Sequence, residues 1–186
     1  WYEQQQRDSG GTALSLPIGA GFLDASTDEE IISAEFIKNR LIVYFENSTW
    51  ELVYLNNPLD QFRWQKLSDN LGSQSTFSSI SFDKNVLTMG TTGVHACNGS
   101  NVVRIDDDIP NKVFEFELEN NATQRTVGIR DYYTELVYWT FVDDLQQSTQ
   151  TFPNQILVYN YKTGSWAVND DCATMFGYFE QSSDIT

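Results

Sequence analysis

The feature that most constrains this chain is a pattern of four short strands that recurs along it. Runs rich in Val, Ile, Thr, Tyr and Phe are broken by Asn, Asp, Gly and Ser, which is typical of strands joined by tight turns. The clearest hairpin is "NQILVYNYKTGSWAV", residues 154–168, which breaks at 162–164 and resumes around a Trp. The second strands of successive units start at Leu41, Val86 and Leu136, which are 45 and then 50 residues apart. This period predicts the blades of a β-propeller.

We therefore predict an all-β fold of four-stranded antiparallel blades, with a β-sandwich as the alternative. An N-terminal arm or loop is expected over 1–24, with at most a short strand near 13–16. Three blade-like units follow at 25–75, at 76–124 with a connecting segment, and at 125–172. The remaining 173–186 contains "ATMFGYF", which is predicted to be the first strand of a further unit. Because propellers close with roughly four to eight blades, the chain is expected to belong to a larger protein.

The predicted strands are short motifs in each unit. They are "EIISAEFI" and then three strands within "NRLIVYFENSTWELVYLNNPLDQFRWQKL"; "TFSSISF", "NVLTMG", "GVHAC" and "NVVRI"; and "RTVGIRD", "ELVYWTFV", "NQILVYNY" and "GSWAV". Two segments also permit a helix. "DASTDEEIISAEF" has a capping-type start at Ser26 or Thr27, and "IPNKVFEFELENN" fits one or two helical turns about as well as a strand.

The charge balance limits the partners of this chain. It has 26 acidic and 11 basic residues, a formal charge of −15. Nucleic-acid binding normally uses a basic patch that neutralises phosphates, and no such patch is present in the sequence. Apolar runs reach only a few residues, far short of the roughly 20 that span a bilayer, so no membrane segment is predicted. A start at Trp1 indicates a processed chain or a fragment.

No catalytic, cofactor-binding or metal-binding residue is predicted, although two groups of residues carry possible metal ligands. His95 lies two residues from Cys97, on the same strand face, which is half of a zinc site at most. A strand histidine with satisfied hydrogen bonds is the favoured interpretation. The acidic run 106–108 could contribute to a calcium site but lacks the Gly and distal Glu of an EF-hand, so a solvated acidic turn is favoured.

The remaining residues of interest have structural interpretations. Cys97 and Cys172 are expected to be buried free thiols. The glycosylation sequons are expected to lie in turns. The tryptophans are expected to pack between blades, with carbohydrate stacking as the alternative. The sequons begin at Asn47, Asn98 and Asn121, and the tryptophans concerned are Trp50, Trp64, Trp139 and Trp166.

The order of the motifs resembles a known family. "FIKNRLIVYFENSTWELVYLNNPLDQFRWQKLSDNLGSQSTFSSI" runs from an Arg-Leu strand through a Ser/Thr turn to a Trp strand. A Pro, a Phe-Arg-Trp segment and a Leu-Gly turn with small residues follow. "GTTGVHACNGSNVVRI", "YYTELVYWTFVDD" and "NQILVYNYKTGSWAV" are similar to the units that come next. Over about residues 31 to 179 this order resembles propeller-containing structural proteins of tailed phages, of the tail-hub, packaged-DNA stabilisation or tail nozzle type.

The resemblance implies a non-enzymatic virion protein of the phage tail. It would form a ring with other copies of itself around the DNA exit channel and contact neighbouring tail or adaptor proteins. DNA would pass without being bound specifically, and no cofactor or membrane is implied. A Kelch-like or lectin-like binding propeller is the alternative. A glycosidase or oxidase propeller is less favoured, since it needs clustered carboxylates or metal ligands.

Overall fold

The computed structural model describes residues 22–57, 61–109, 123–143 and 152–179. In these ranges the chain forms three four-stranded antiparallel sheets, each built from four strands consecutive in sequence. The predicted all-β fold with propeller-like, four-stranded units is confirmed. The sandwich alternative is wrong, because the strands are divided among three sheets rather than two facing ones.

Sheet 1 contains β1 to β4, sheet 2 contains β5 to β8, and sheet 3 contains β9 to β12. The bounds are β1 Ile31–Ile37, β2 Arg40–Phe45, β3 Thr49–Tyr54, β4 Phe62–Ser68, β5 Ile80–Ser81, β6 Val86–Gly90, β7 Gly93–Cys97, β8 Val102–Arg104, β9 Gly128–Asp131, β10 Leu136–Phe141, β11 Gln155–Asn160 and β12 Trp166–Asn169. Each sheet lies inside one predicted unit, while the unit boundaries themselves stay predictions.

The β11–β12 hairpin shows how local sequence sets the turns. The side-chain oxygen of Asn160 accepts hydrogen bonds from the amides of Lys162 and Thr163, both at 3.0 Å. Gly164 then adopts a positive φ of 77°, which a glycine reaches without steric cost. The hairpin read from the sequence is thereby formed, with its tip at 162–164.

The sheets pack face to face, with sheet 2 in the middle. An apolar cluster between sheets 1 and 2 includes Tyr44 and Val86, and a second cluster between sheets 2 and 3 includes Met89 and Trp139. Every residue of β6 is buried, because both of its faces are covered. The first strands of the sheets also touch, since β5 contacts both β1 and β9. The sheets therefore share an inner edge formed by their first strands, as propeller blades do.

The Trp139 side chain joins sheets 2 and 3, and its ring packs in the apolar cluster between them. Gly128, the cross-strand partner of Trp139 in sheet 3, leaves room for this ring, since an added Cβ would come within 2.7 Å of the indole and 2.8 Å of Ile80 in sheet 2. The Trp139 indole nitrogen donates a hydrogen bond to the carbonyl of Ser78 at 2.8 Å. Trp139 thus connects the two sheets through both its ring and its polar atom.

The predicted helix start at Ser26 or Thr27 is wrong. The following residues enter β1, which pairs with β2 in antiparallel register. The Glu29 carboxylate accepts hydrogen bonds from the amide of Asn47 at 2.8 Å and from the Ser48 hydroxyl at 3.0 Å. Glu29 therefore accepts hydrogen bonds from the β2–β3 turn instead of capping a helix. Desolvation raises the pKa of Glu29, but these hydrogen bonds outweigh it and hold the pKa below its usual value.

The predicted first strand of a further unit is not formed over 173–179. This segment contacts sheet 3 through aromatic side chains, as Phe176 packs against Tyr138 at 6.3 Å between ring centroids. A strand requires a ladder of main-chain hydrogen bonds, and these contacts do not provide one. The expected strand near 13–16 and the ambiguous 109–121 segment beyond Ile109 lie outside the described residues.

Candidate functional site

A groove of about 1070 Å³ lies on the outer face of sheet 3. It lies between the sheet and the segment that follows β12. We call it the tyrosine groove. It is lined by 129–133 and 176–179 together with Tyr138, Ile156, Asn169 and Asp171.

The β9–β10 turn places two tyrosines at one end of the groove. Asp131 accepts hydrogen bonds from the amide of Tyr133 at 2.9 Å and from the hydroxyl of Thr134 at 2.7 Å. These bonds hold the pKa of Asp131 below its usual value, the Thr134 hydroxyl contributing most. The turn leaves Tyr133 with 99% of its surface exposed. The neighbouring Tyr132 is also exposed, so this turn presents two tyrosine rings to solvent at the end of the groove.

The opposite wall is the segment after β12. The hydroxyl of Tyr178 donates a hydrogen bond to the carbonyl of Arg130, and its ring lies 6.2 Å from that of Tyr132. Partial burial raises the pKa of Tyr178, with a smaller contribution from Tyr132. Phe179 ends the wall with 88% of its surface exposed.

Arg130 supports the groove from behind. Its guanidinium lies 4.0 Å from the ring centre of Phe82, 4.5 Å from that of Tyr132 and 4.8 Å from that of Tyr161. Phe82 belongs to the segment after β5, so Arg130 connects sheet 3 to sheet 2. Cation–π contacts of this kind stabilise by about 0.5–2 kcal/mol each, depending on desolvation. The sheet side of the groove is therefore braced against sheet 2, while the opposite wall is the segment after β12.

The chemistry of the groove is that of a binding surface. Tyrosine and phenylalanine rings supply broad apolar contact, and the carboxylates of Asp131 and Asp171 supply acceptors at the rim. Within the described ranges, no three His, Cys, Asp or Glu side chains are placed to hold a metal ion. The sequence interpretation missed this site because its walls come from separate segments. The available signal was "DYYTEL", in which two aromatic residues occupy a turn.

His95 lies far from the groove, between sheets 1 and 2. It is fully buried on the same face of β7 as Cys97, and its ring is 6.4 Å from that of Tyr44. Burial lowers its pKa to about 4, and the backbone of Gly93 and Gly72 raises it slightly. Neither ring nitrogen has a hydrogen-bond partner of proper geometry, nor has the Tyr44 hydroxyl. The strand position is confirmed, but the expectation of satisfied hydrogen bonds is wrong.

The acidic run 106–108 is not a uniformly solvated turn. Asp106 is fully buried and accepts two hydrogen bonds from the Arg104 guanidinium, both at 2.9 Å. Asp107 and Asp108 are exposed, as expected. Asp106 also contacts Gly93, where an added Cβ would lie 2.4 Å from its carboxylate. The first aspartate is a buried ion-pair partner, and only the other two are solvated.

The tryptophans occupy two kinds of place. Trp139 is fully buried between sheets 2 and 3. Trp166 is half-buried beside it, stacked on Trp139 and tilted against Tyr159 with 4.3 Å between the centroids of the latter pair. Trp50 and Trp64 instead pack on the outer face of sheet 1, edge to face with Phe45. Packing between sheets is thus confirmed for the first pair, whereas the second pair covers an outer face.

The cysteines and sequons are also placed. Both cysteines are free, but only Cys97 is buried, so the expectation of burial is wrong for Cys172. Asn47 and Asn98 lie exposed in turns, as predicted, and Asn121 lies outside the described residues. Among the described residues, no helix has both the length and the apolar character needed to cross a membrane.

No protein-family model matches this chain, and no curated protein matches its sequence. Function is therefore inferred from the fold and from the contacts of the described residues.

Proposed function

We propose that this chain is a non-enzymatic structural protein of a tailed-phage virion, a ring-forming tail hub or nozzle component around the DNA exit channel. The observation that carries the proposal is the stack of three four-stranded sheets on a common inner edge. The order of the sequence motifs that resembles the phage family falls on these same strands. A braced stack of sheets suits a protein that must keep its shape while its neighbours assemble around it.

Three of the described side chains that could serve chemistry are committed to structural contacts. Glu51 is paired with Arg40, Asp106 with Arg104, and His95 is enclosed between sheets. Groups held in this way do not approach a substrate. The formal charge of −15 also suits a wall along which DNA slides, because an acidic surface repels phosphates.

The test is to locate the protein in purified particles. Virions purified from infected host cells are analysed by quantitative mass spectrometry, and antibody-labelled particles are imaged by electron microscopy. We expect a fixed copy number that is a multiple of the tail's rotational symmetry, with label at the tail. Absence from purified virions, or a sub-stoichiometric and variable amount, contradicts the proposal.

A binding propeller of Kelch-like or lectin-like type is the second candidate, and the tyrosine groove favours it. Exposed rings with carboxylates at the rim can stack on a sugar ring and accept its hydroxyl hydrogen bonds. A glycan array tests this function. Binding that is lost in Tyr133→Ala but retained in Phe77→Ala, an exposed aromatic away from the groove, would support it. Trp166 is a poor probe because it packs against Tyr159.

A further inference from the structure

The three strands of the inner edge end at one common pocket. β1, β5 and β9 are the first strands of their sheets, and residues at their ends and in the turns after them line a cavity of about 560 Å³. The lining consists of Phe36 and Lys38, of 81–83, and of Arg130 and Tyr132. All three sheets therefore contribute to this cavity, which we call the inner-edge pocket.

Two cations line the inner-edge pocket without a carboxylate partner. Four other cations of the described chain are each paired with a carboxylate, namely Arg40, Lys66, Arg104 and Lys162. No described carboxylate pairs with Lys38 or Arg130, although the chain carries 26 acidic residues. Among the described lining residues, Asp83 is the one carboxylate. The pocket thus has a local excess of positive charge in a strongly acidic chain.

Aromatic rings surround the guanidinium of Arg130 where a carboxylate could have been. The ring centres of Phe82, Tyr132 and Tyr161 lie 4.0 to 4.8 Å from it. The Nε atom is buried and has no hydrogen-bond acceptor in the described chain. A ring face attracts a cation, but it does not take up the directional hydrogen bonds that a guanidinium donates to an oxyanion. Arg130 is therefore held in place while its charge stays without an anion.

The backbone of Lys38 adopts an unfavourable conformation. Lys38 lies in the tight turn in which Ile37 pairs with Arg40, and its φ is 57°. Two-residue hairpin turns favour glycine or asparagine in this left-handed region, because the Cβ of other residues is crowded there. Turn preference therefore does not account for a lysine at this position. A role for its ammonium group in the pocket does, since backbone strain of this kind is often kept at binding sites.

The pocket has room for more than a bare ion. Its volume of about 560 Å³ falls within the roughly 300–1,000 Å³ of small-molecule sites. Phe36 and Tyr132 are 59% and 61% exposed, so the described chain leaves their rings accessible. Aromatic rings of this kind bind planar heterocycles by stacking. The formal charge of −15 repels a long polyanion, whereas a small anion is within screening distance of the two local cations.

From these observations we propose that the inner-edge pocket binds a small organic phosphate that carries a planar ring. Lys38 and Arg130 pair with the phosphate group, which suits a dianion because they bring two positive charges. Phe36 and Tyr132 contact the planar ring. The inference goes beyond the proposed tail function and does not depend on it.

The ligand is tested in its parts. The whole chain is titrated with adenosine monophosphate by isothermal titration calorimetry at constant ionic strength, and in parallel with adenosine and with inorganic phosphate. We expect saturable binding of adenosine monophosphate. Adenosine and inorganic phosphate each lack one half of the ligand, and each is expected to bind at least about tenfold more weakly.

Lys38→Asn separates binding from folding. Asparagine tolerates the left-handed backbone and removes the charge, so urea denaturation should give at least the stability of the unchanged chain. The affinity for adenosine monophosphate should fall at least about tenfold. Lys84→Asn is the matched control, because it removes the same charge from an exposed residue outside the lining and should leave the affinity unchanged. Phe36→Ala should weaken binding of adenosine monophosphate but not of inorganic phosphate.

The possible failures are distinct. An unchanged chain that is not saturated by millimolar adenosine monophosphate overturns the inference, and so does equal binding by Lys38→Asn and Lys84→Asn. Adenosine that binds as tightly as adenosine monophosphate also overturns it, because no anion is then recognised. A single-stranded oligonucleotide that binds more tightly than adenosine monophosphate contradicts a small ligand. None of these titrations uses virions, so their failure leaves the tail function standing, and absence from virions leaves the pocket standing.

Discussion

The interfaces on the two sides of sheet 2 use different chemistry. Between sheets 2 and 3, the core consists of apolar side chains around Trp139 and Phe141. Between sheets 1 and 2, a smaller apolar cluster is joined by polar groups. There, Thr88 contacts the hydroxyls of Ser73, Ser78 and Ser79 at 3.0–3.2 Å. The same four-stranded unit is therefore compatible with a close-packed apolar interface and with a hydrogen-bonded one.

Because of this difference, we expect the two interfaces to lose stability under different changes. An apolar interface loses stability when its volume is reduced, and it is insensitive to pH. A polar interface depends on the protonation and pairing of its groups. The predictions below use this contrast, beginning with the largest expected effect.

Truncation at the apolar interface should be the most damaging change. Trp139→Ala removes a fully buried indole and leaves the Ser78 carbonyl without its donor. We expect a loss of about 3–5 kcal/mol in the free energy of unfolding, measured by urea denaturation. Trp166→Ala is the matched control, because this half-buried ring should cost less than half as much. Equal losses of unfolding free energy in the two variants would contradict the conclusion that close packing of Trp139 stabilises the interface between sheets 2 and 3.

Acidification should act through the polar interface. Burial lowers the pKa of His95 to about 4 from the ordinary 6.5, so the folded state favours the neutral ring. The unfolded chain binds more protons between these values, and stability is therefore complete above pH 6.5 and falls as the pH drops towards 4. We expect His95 to contribute a loss of about 3 kcal/mol over this window.

The control for the pH experiment is His95→Gln, which keeps a polar side chain but cannot titrate. Urea midpoints for both proteins at pH 7 and pH 4.5 separate this histidine from the carboxylates, which change in both. The nearby groups that also bear on its charge are Asp106 and Arg104, whose effects oppose each other. If both proteins lose the same stability on acidification, His95 is not the cause.

The smallest expected effect concerns an ion pair at the polar interface. Arg40 donates to the carboxylate of Glu51 and to the carbonyl of Gly99 in the β7–β8 turn, which belongs to sheet 2. The pKa of Arg40 is raised mainly by its hydrogen bond to Glu51. Arg40→Ala would leave a buried carboxylate unpaired, and we expect a loss of about 1–3 kcal/mol, reduced because the guanidinium is 35% exposed.

Lys162→Ala is the matched control for Arg40→Ala, since Lys162 pairs with Glu135 on the surface at 2.8 Å. No measurable change in thermal midpoint is expected there, because solvent screens the pair. A larger drop in thermal midpoint for Lys162→Ala than for Arg40→Ala would contradict the conclusion that the partly buried Arg40–Glu51 pair stabilises the fold more than the surface pair does.

The sequence predicted the strands well because each carries its own local pattern. Alternating residues such as Val137, Tyr138 and Trp139 specify which side faces sheet 2, and Asn160 with Gly164 specifies a turn. These signals lie within a few residues of one another. They determine a strand and its hairpin before any distant contact is known.

The errors arose where distant contacts override local preference. Thr27 resembled a helix cap, but Glu29 is used by the β2–β3 turn. His95 resembled a strand histidine with satisfied hydrogen bonds, but the sheet packed against it supplies no partner. The tyrosine groove joins Tyr133 to Tyr178 across 45 residues of sequence. A pattern of neighbouring residues cannot predict that two segments so far apart in the sequence line the same groove.

The unequal burial of the cysteines gives the folded chain a single reactive position. Cys172 is exposed, whereas Cys97 lies in the core with the pKa of its thiol raised by burial. Reactivity requires an accessible thiolate, so a maleimide should modify one thiol in the native protein and two after unfolding. The number of modified thiols thus counts unfolded molecules directly. A fluorophore at Cys172 also marks the end of the stack that carries sheet 3.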